Sequence, residues 1–178
     1  MATMVGTQKD LAHLLNSLIA LDYDAIDAYE AAIDRIDDDG DKAQLEEFKG
    51  DHERHVCVLH PLVVELGEKP VEKADIKRVL TKGKVVLASL VGDRMILLAM
   101  KMNENDTNLA YDRAVQRTDL PAHIREVLVK NRDDERRHLA YILGRLEDYE
   151  VGEEKEAAVA STPVVEAPPT SQSAPSTR

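Results

Sequence analysis

The chain has 178 residues, a formal net charge of −11 and a single cysteine, Cys57. The acidic excess disfavours nucleic acid and anionic membranes as partners, because both bind through clustered Lys and Arg. One cysteine excludes an internal disulfide and a thiolate metal cluster, and it fits a reducing cytosol. The N-terminal segment lacks the basic-then-apolar order of a signal peptide, and no apolar run is long enough to span a membrane. We therefore expect a cytoplasmic protein that binds neither nucleic acid nor membranes.

The first half of the chain predicts two long helices. Apolar residues recur there at spacings of three and four, which is the period of an amphipathic helix. The first helix is expected over residues 8–37, and an acidic turn containing Gly40 ends it. The second helix is expected to run from this turn to about Leu66, with Gly67 as its stop. Their inward apolar residues are predicted to be Leu11, Leu15, Leu18, Ile26, Ile33 and Ile36 on the first helix, and Leu45, Phe48, Leu59, Leu62 and Leu66 on the second.

Two more helices are predicted after a connection of about twenty residues, which has room for a short helix of its own. The third is expected over residues 85–117, and a turn at Asp119-Leu120-Pro121 begins the fourth. Ile124, Leu128, Ile142, Leu146 and Tyr149 form its inner face. Short links within each pair make antiparallel hairpins, and the longer middle connection allows a crossover. The sequence thus predicts an all-α, antiparallel four-helix bundle made of two helical hairpins.

The composition changes at about residue 151. Residues 151–178 contain four of the seven prolines and no aromatic side chain. Such a stretch buries too little apolar surface to offset the entropy lost on ordering. We therefore predict a folded bundle over residues 1–150 and a disordered tail over residues 151–178, with docking to a larger complex as one use of the tail.

The two hairpins resemble each other in sequence. Residues 51–55, Asp-His-Glu-Arg-His, match residues 134–138, Asp-Glu-Arg-Arg-His, at an offset of 83. Residues 28–30 match residues 110–112 at an offset of 82, and the same offset pairs Asp22 with Glu104. Two such hairpins packed about a pseudo-two-fold axis bring equivalent side chains face to face.

Each predicted helix has an acid or an imidazole inside its apolar stripe near mid-length. Counting a rise of about 1.5 Å per residue from the two turns places six of them at one level. A buried carboxylate is costly unless it is compensated, and a cation compensates it. We predict a metal site formed by Asp22, His52, His55, Glu104, Glu135 and His138. Glu30 and Asp112 lie about two turns nearer the hairpin ends and are second-tier candidates.

One acid from each of two helices, plus a Glu-x-x-His pair on each of the other two, is the ligand set of ferritin-like di-iron and di-manganese proteins. Residues 8–150 resemble that superfamily, and they look most similar to its small, rubrerythrin-like bacterial members. The resemblance implies a ferritin-like fold and one or two bound iron ions; the donor atoms also suit manganese or zinc. It further implies oxidation of Fe(II), or reduction of peroxide or oxygen, in iron or oxidative-stress handling.

The second helix departs from the family pattern, because His52 stands where the family has a glutamate that bridges two metals. Two readings remain open. In the first, Asp51 or Glu53 takes the bridging position after a small rotation of the helix. In the second, the site holds one metal, or two metals with unequal affinity. The chain has no rubredoxin-like cysteine pairs, so any electron donor is expected to be a separate protein.

A plainer reading of the same residues is a structural polar core. A lone histidine on an apolar helix face is more often a satisfied core residue than a metal ligand. In this reading Asp22, Glu104 and Glu135 pair with the histidines and with arginines such as Arg54 and Arg137. The protein is then a non-catalytic bundle that binds a protein partner or self-associates, and in either reading we expect a homo-oligomer.

Overall fold

The computed structural model describes residues 3–76 and 90–160, and it is helical with no strand in these ranges. Its helices are α1 (Leu11–Ile33), α2 (Asp39–Glu65), α3 (Lys73–Ile76), α4 (Asp93–Val115) and α5 (Ala122–Ala160). Helix α1 packs along α2, and α4 packs along α5; contacts of α1 with α4 and of α2 with α5 close the bundle. The prediction of an all-α, four-helix bundle of two hairpins is confirmed. The predicted short helix in the middle connection corresponds to α3.

The ends of α1 and α2 are set by capping aspartates. The Asp10 carboxylate accepts a hydrogen bond of 2.8 Å from the backbone N–H of His13, and Asp38 does the same for Asp41 at 2.8 Å. These caps satisfy donors that a helix start leaves unpaired. The Asp10 cap starts α1 at Leu11, and α1 ends at Ile33, so the helix is shorter at both ends than the predicted span of residues 8–37. In the loop that follows it, the backbone N–H groups of Asp37 and Asp38 donate to Asp93, which ties the first hairpin to the start of α4.

The start of α4 and the end of α5 also differ from the sequence-based expectation. Helix α4 begins at Asp93 after Gly92, whose φ of +86° lies in the left-handed region that favours glycine. Residues 85–89 of the predicted third helix lie outside the described residues. Helix α5 continues to Ala160, because residues 153–158 are the helix-favouring Glu-Glu-Lys-Glu-Ala-Ala. The domain boundary at residue 150 stays a prediction, and residues 161–178 lie outside the described part.

The core consists of two apolar clusters with a polar layer between them. The first cluster includes Leu15, Leu18, Ile19, Leu59 and Leu128, and the second includes Ile33, Phe48, Met100, Ile142 and Leu146. The predicted inward residues are buried except Leu11, Leu66 and Tyr149, which are half-buried. Between the clusters lie the buried acids and histidines of all four long helices. The apolar packing on both sides thus fixes the height of the polar layer.

No helix within residues 3–76 and 90–160 combines the length and the apolar character that a membrane crossing requires.

The first turn of α2 is tied to α5 by Asp41. This aspartate is fully buried; it accepts a hydrogen bond of 2.7 Å from the Tyr141 hydroxyl and bonds of 2.5 and 3.0 Å from Arg145. We predict that Asp41→Ala lowers the free energy of unfolding by about 2 kcal/mol, because it removes the acceptor of three hydrogen bonds from Tyr141 and Arg145. Urea denaturation measures the change. The control is Asp39→Ala in the same turn, which is exposed and should cost about 0.5 kcal/mol; equal losses in both variants would contradict the prediction.

Candidate metal centre

All six predicted metal ligands are fully buried and meet in one cluster across the four long helices. They form two groups of four that share His52 and Glu135. In each group, one ligand atom from every residue lies within 4.8 Å of the others. The first group is Asp22, His52, His55 and Glu135, and the second is His52, Glu104, Glu135 and His138. The residues that the sequence placed at one level therefore do meet; whether they bind metal stays a prediction.

Three of four nitrogen–oxygen distances in the first group are close to those between the ligand atoms of a tetrahedral metal site. Asp22 Oδ1 lies 2.9 Å from His52 Nδ1 and 3.3 Å from His55 Nδ1. Glu135 Oε1 lies 3.4 Å from His52 Nδ1 and 3.3 Å from His55 Nδ1. Metal–ligand bonds of about 2.0–2.1 Å place tetrahedral ligand atoms about 3.3 Å apart. Two imidazole nitrogens and two carboxylate oxygens are a donor set that suits iron, manganese or zinc.

The second group has longer contacts, and several of its polar atoms lack a hydrogen-bond partner within the described residues. Glu104 Oε1 lies 3.7 Å from His52 Nε2, and Glu104 Oε2 lies 3.7 Å from His138 Nδ1. Within the described residues, His52 Nε2, Glu104 Oε2, His138 Nδ1 and both Glu135 oxygens have no hydrogen-bond partner. Buried polar atoms are nearly always satisfied in folded proteins. A cation among these atoms would supply the missing partner.

Two buried tyrosines hold the single acids by a crossed pair of hydrogen bonds. The Tyr29 hydroxyl on α1 donates to Glu104 Oε1 on α4 at 2.6 Å, and the Tyr111 hydroxyl on α4 donates to Asp22 Oδ2 on α1 at 2.7 Å. Burial and the adjacent carboxylates raise the pKa of both tyrosines well above the usual value. Both hydroxyls therefore remain protonated donors at neutral pH and fix the orientation of the acids.

Two outer carboxylates hold the histidine rings. His55 Nε2 lies 3.3 Å from Asp134 Oδ2, and His138 Nε2 lies 3.0 Å from Asp51 Oδ2. A carboxylate on the far nitrogen fixes the tautomer and the orientation of a ligating imidazole. In both rings Nδ1 consequently faces the interior of the cluster, where the acids lie.

Two arginines neutralise the outer carboxylates. Arg54 pairs with Asp51 and, at 2.6 Å, with Asp134 Oδ2. Arg137 pairs with Asp51 and, at 3.5 Å, with Asp134 Oδ1. The sequence-based alternative expected Arg54 and Arg137 on the inner acids. Both arginines instead form ion pairs with the outer carboxylates, and Arg137 also pairs with the exposed Glu47. The ion-pair partners of the inner acids are histidines.

Four further acids from the sequence analysis lie outside the cluster's interior. Asp51 contacts the outer nitrogen of His138, and Glu53 is exposed, so neither occupies the bridging position. Glu30 is exposed, and Asp112 pairs with Arg136 at 2.8 Å on the surface. Glu30 and Asp112 each directly follow an inward tyrosine, and one residue turns a helix by about 100°. That rotation places both second-tier candidates on the outer face.

The electrostatics of the two sides of the cluster differ. Burial opposes the charge on His55, but Asp134, Asp22 and Glu135 outweigh it and raise its pKa to about 10. Burial also raises the pKa of Asp22, yet hydrogen bonds with His52 and His55 leave it below its usual value. On the other side, burial and the nearby His52 lower the pKa of His138 to about 4. Burial and the nearby Glu135 raise the pKa of Glu104 to about 6. Without metal, charge concentrates on the side of Asp22 and His55.

A family model described as Domain of unknown function (DUF2383) matches residues 10–117, which is more than half of the chain. The chain belongs to this family. No curated protein and no solved structure matches it. The DUF2383 match covers helices α1 to α4 and so includes four of the six clustered residues. Glu135 and His138, which complete both groups, lie beyond the matched span on α5.

The outer carboxylates lead to a prediction for this DUF2383 protein. Asp134→Asn should weaken Zn(II) binding by about tenfold or more, because it weakens the hold on the His55 ring. Competition with a chelator of known affinity measures the change. The control is Asp133→Asn, since Asp133 pairs with Arg132 on the surface and should leave affinity unchanged. Equal affinities in the two variants would rule out the orienting role.

Metal binding should also depend on pH. Carboxylates raise the pKa of His52 well above its usual value and that of His55 to about 10, despite their burial. Both rings hold an extra proton at neutral pH, and a metal ion must displace it. Zn(II) affinity should therefore fall as the pH falls, by about tenfold per pH unit for each proton displaced. Titrations at pH 6, 7 and 8 would show this, and affinity independent of pH over that range would contradict it.

Proposed function

We propose that this chain is a ferritin-like metalloprotein that binds two divalent ions, with iron as the preferred metal, and oxidises Fe(II) or reduces oxygen or peroxide. The observation that carries the proposal is the buried cluster of three carboxylates and three histidines. They form two groups of metal-ligand geometry, and several of their atoms have no other partner within the described residues.

The distribution of the ligands over the helices supports the ferritin-like assignment. Asp22 on α1 and Glu104 on α4 are single acids on two helices, and Glu135 and His138 form a Glu-x-x-His pair on α5. Helix α2 supplies the second pair as His52 and His55. Apart from His52, this is the ligand pattern of di-iron and di-manganese carboxylate bundles. Because the donor atoms also suit manganese and zinc, the preference for iron comes from that resemblance.

The residues around the cluster prepare it for redox chemistry. Iron, when bound, supplies one-electron oxidation and reduction. The carboxylates of Asp22, Glu104 and Glu135 stabilise the higher positive charge of the oxidised state. The two apolar clusters exclude water from the polar layer, which strengthens each electrostatic contact inside it. Hydrogen bonds from Tyr29 and Tyr111 hold the single acids, Glu104 and Asp22, in place.

A surface pocket is lined in part by Asn131, which lies next to the cluster. Its volume is about 200 Å³, and Arg54, Lys130 and Asn131 are among its lining residues. The side-chain amide of Asn131 lies 3.4 Å from the Tyr111 hydroxyl, which in turn donates to Asp22. In this proposal oxygen or peroxide approaches from the pocket.

The proposal places this activity in the cytoplasm, in iron or oxidative-stress handling, within a homo-oligomer that binds no nucleic acid. With Cys57 as its only cysteine, the chain has no rubredoxin-like iron site, so a separate protein supplies any electrons that the reaction needs.

Loading with Fe(II) in the absence of oxygen tests the proposal. Elemental analysis after desalting should find about two ions per chain in the wild type and almost none in Glu135→Ala/His138→Ala, because that variant loses ligands of both groups. On exposure to oxygen, the variant should oxidise Fe(II) no faster than buffer does.

The matched control for the loading experiment is His13→Ala/Glu53→Ala. It removes the same residue types from exposed positions and should behave as the wild type. Wild-type protein that retains no iron would contradict metal binding. Retained iron with equal oxidation rates in all three proteins would contradict the redox role alone.

One observation favours the structural alternative. Asp22 has contacts with both His52 and His55 and accepts a hydrogen bond from Tyr111, so this part of the cluster is satisfied without metal. A non-catalytic bundle that binds a protein partner or itself would keep its thermal stability and its assembly state after exhaustive chelation. A metalloprotein would lose stability on chelation, since metal that binds only the folded state stabilises it.

A further inference from the structure

His52 faces both ligand groups at once, through different atoms. Its Nδ1 lies 2.9 Å from Asp22 Oδ1 and 3.4 Å from Glu135 Oε1, in the first group. Its Nε2 lies 3.7 Å from Glu104 Oε1, in the second group, and has no hydrogen-bond partner within the described residues. The two nitrogens of one buried ring are thus the only ligand atoms that His52 offers, and each belongs to a different group.

The ring is held in this orientation by its neighbours. His52 is fully buried, and its centroid lies 5.4 Å from that of Tyr29, 5.4 Å from that of His55 and 5.2 Å from that of His138. These neighbouring rings restrict the movement of the His52 ring. Rotation of the ring by 180° about its Cβ–Cγ bond would put carbons Cδ2 and Cε1 where Nδ1 and Nε2 lie, so a bridge requires the ring orientation described here.

We propose that His52 bridges the two metal ions of the proposed function as an imidazolate. Nδ1 binds the ion that Asp22, His55 and Glu135 hold, and Nε2 binds the ion that Glu104 and His138 hold. In this state both ring nitrogens have released their protons to solvent, and each lone pair forms one metal bond; no oxidant or reductant takes part. The inference rests on the proposed binding of two ions.

An imidazolate bridge sets a longer separation than a carboxylate bridge. Two metal–nitrogen bonds of about 2.1 Å on opposite sides of the ring place the ions about 6 Å apart. Metal pairs that share carboxylate or water oxygens lie about 3.5–4 Å apart. The two ions would also be unlike, because the first group has contacts of 2.9–3.4 Å while the second has contacts of 3.7 Å.

Electron paramagnetic resonance with Cu(II) as the probe tests the bridge. An imidazolate couples the unpaired electrons of two Cu(II) ions antiferromagnetically. Wild-type protein loaded with two Cu(II) per chain should therefore give a low-temperature signal per bound copper that is several-fold weaker than that of isolated Cu(II). Wild-type protein loaded with one Cu(II) and one Zn(II) should give the full signal, and this comparison needs no variant.

Two variants separate the possible bridging residues. His52→Gln with two bound Cu(II) should give the full signal, whereas Glu135→Gln should retain the weakened signal, because it leaves the imidazole in place. Helical circular dichroism checks that both variants are folded.

Three outcomes would overturn the imidazolate bridge. A full signal from wild-type protein with two bound Cu(II) would remove it and leave the proposed metal binding intact. A signal that stays weak in His52→Gln and recovers in Glu135→Gln would assign the bridge to the carboxylate. Retention of fewer than two ions by the wild type, with both Cu(II) and Fe(II), would contradict the bridge and the two-ion proposal together.

Discussion

The structure depends on the placement of six ionisable side chains in the middle of a helical bundle, where each would be costly without a partner. The surrounding contacts are organised outward from that constraint. Tyrosines donate to the single acids, outer aspartates hold the histidine rings, and arginines neutralise those aspartates near the surface. Each layer satisfies the one inside it, and in the described part of the chain the innermost atoms of His52, Glu104, Glu135 and His138 have no hydrogen-bond partner.

These layers repeat across the two hairpins. Tyr29 donates to Glu104 and Tyr111 to Asp22, while His55 contacts Asp134 and His138 contacts Asp51. Each pair of equivalent residues is separated by 82 or 83 positions, which is the offset of the sequence repeat. The repeat therefore corresponds to a site in which both hairpins supply equivalent residues, and each of these residues contacts a partner from the other hairpin. The inner symmetry is broken at one pair, His52 and Glu135, where an imidazole faces a carboxylate.

Helical periodicity was enough to predict the bundle and all six clustered residues, because a polar side chain in an apolar stripe is visible in the sequence. It was not enough for the second layer. Asp51 and Asp134 precede inward residues, and nothing in their spacing shows that their carboxylates reach the far nitrogen of a histidine on another helix. The sequence repeat, which pairs Asp51 with Asp134 at an offset of 83, was the signal that linked these two residues. Helix ends were misjudged because capping by Asp10 and the left-handed Gly92 are local events that periodicity does not report.

In the proposed two-ion site, the residue at position 52 decides what kind of bridge can form. A carboxylate there would give each ion the same donors and draw the pair together. In the proposed bridge, the imidazole supplies one nitrogen to each ion, and its rigid ring keeps the two ions apart. The tyrosine hydroxyls donate to Glu104 and Asp22, and the outer aspartates contact His55 and His138, so these hydrogen bonds do not depend on the residue at position 52. The proposed difference from the carboxylate-bridged pattern therefore lies in one innermost residue, His52, while the hydrogen bonds that hold Asp22, Glu104, His55 and His138 are made by other side chains.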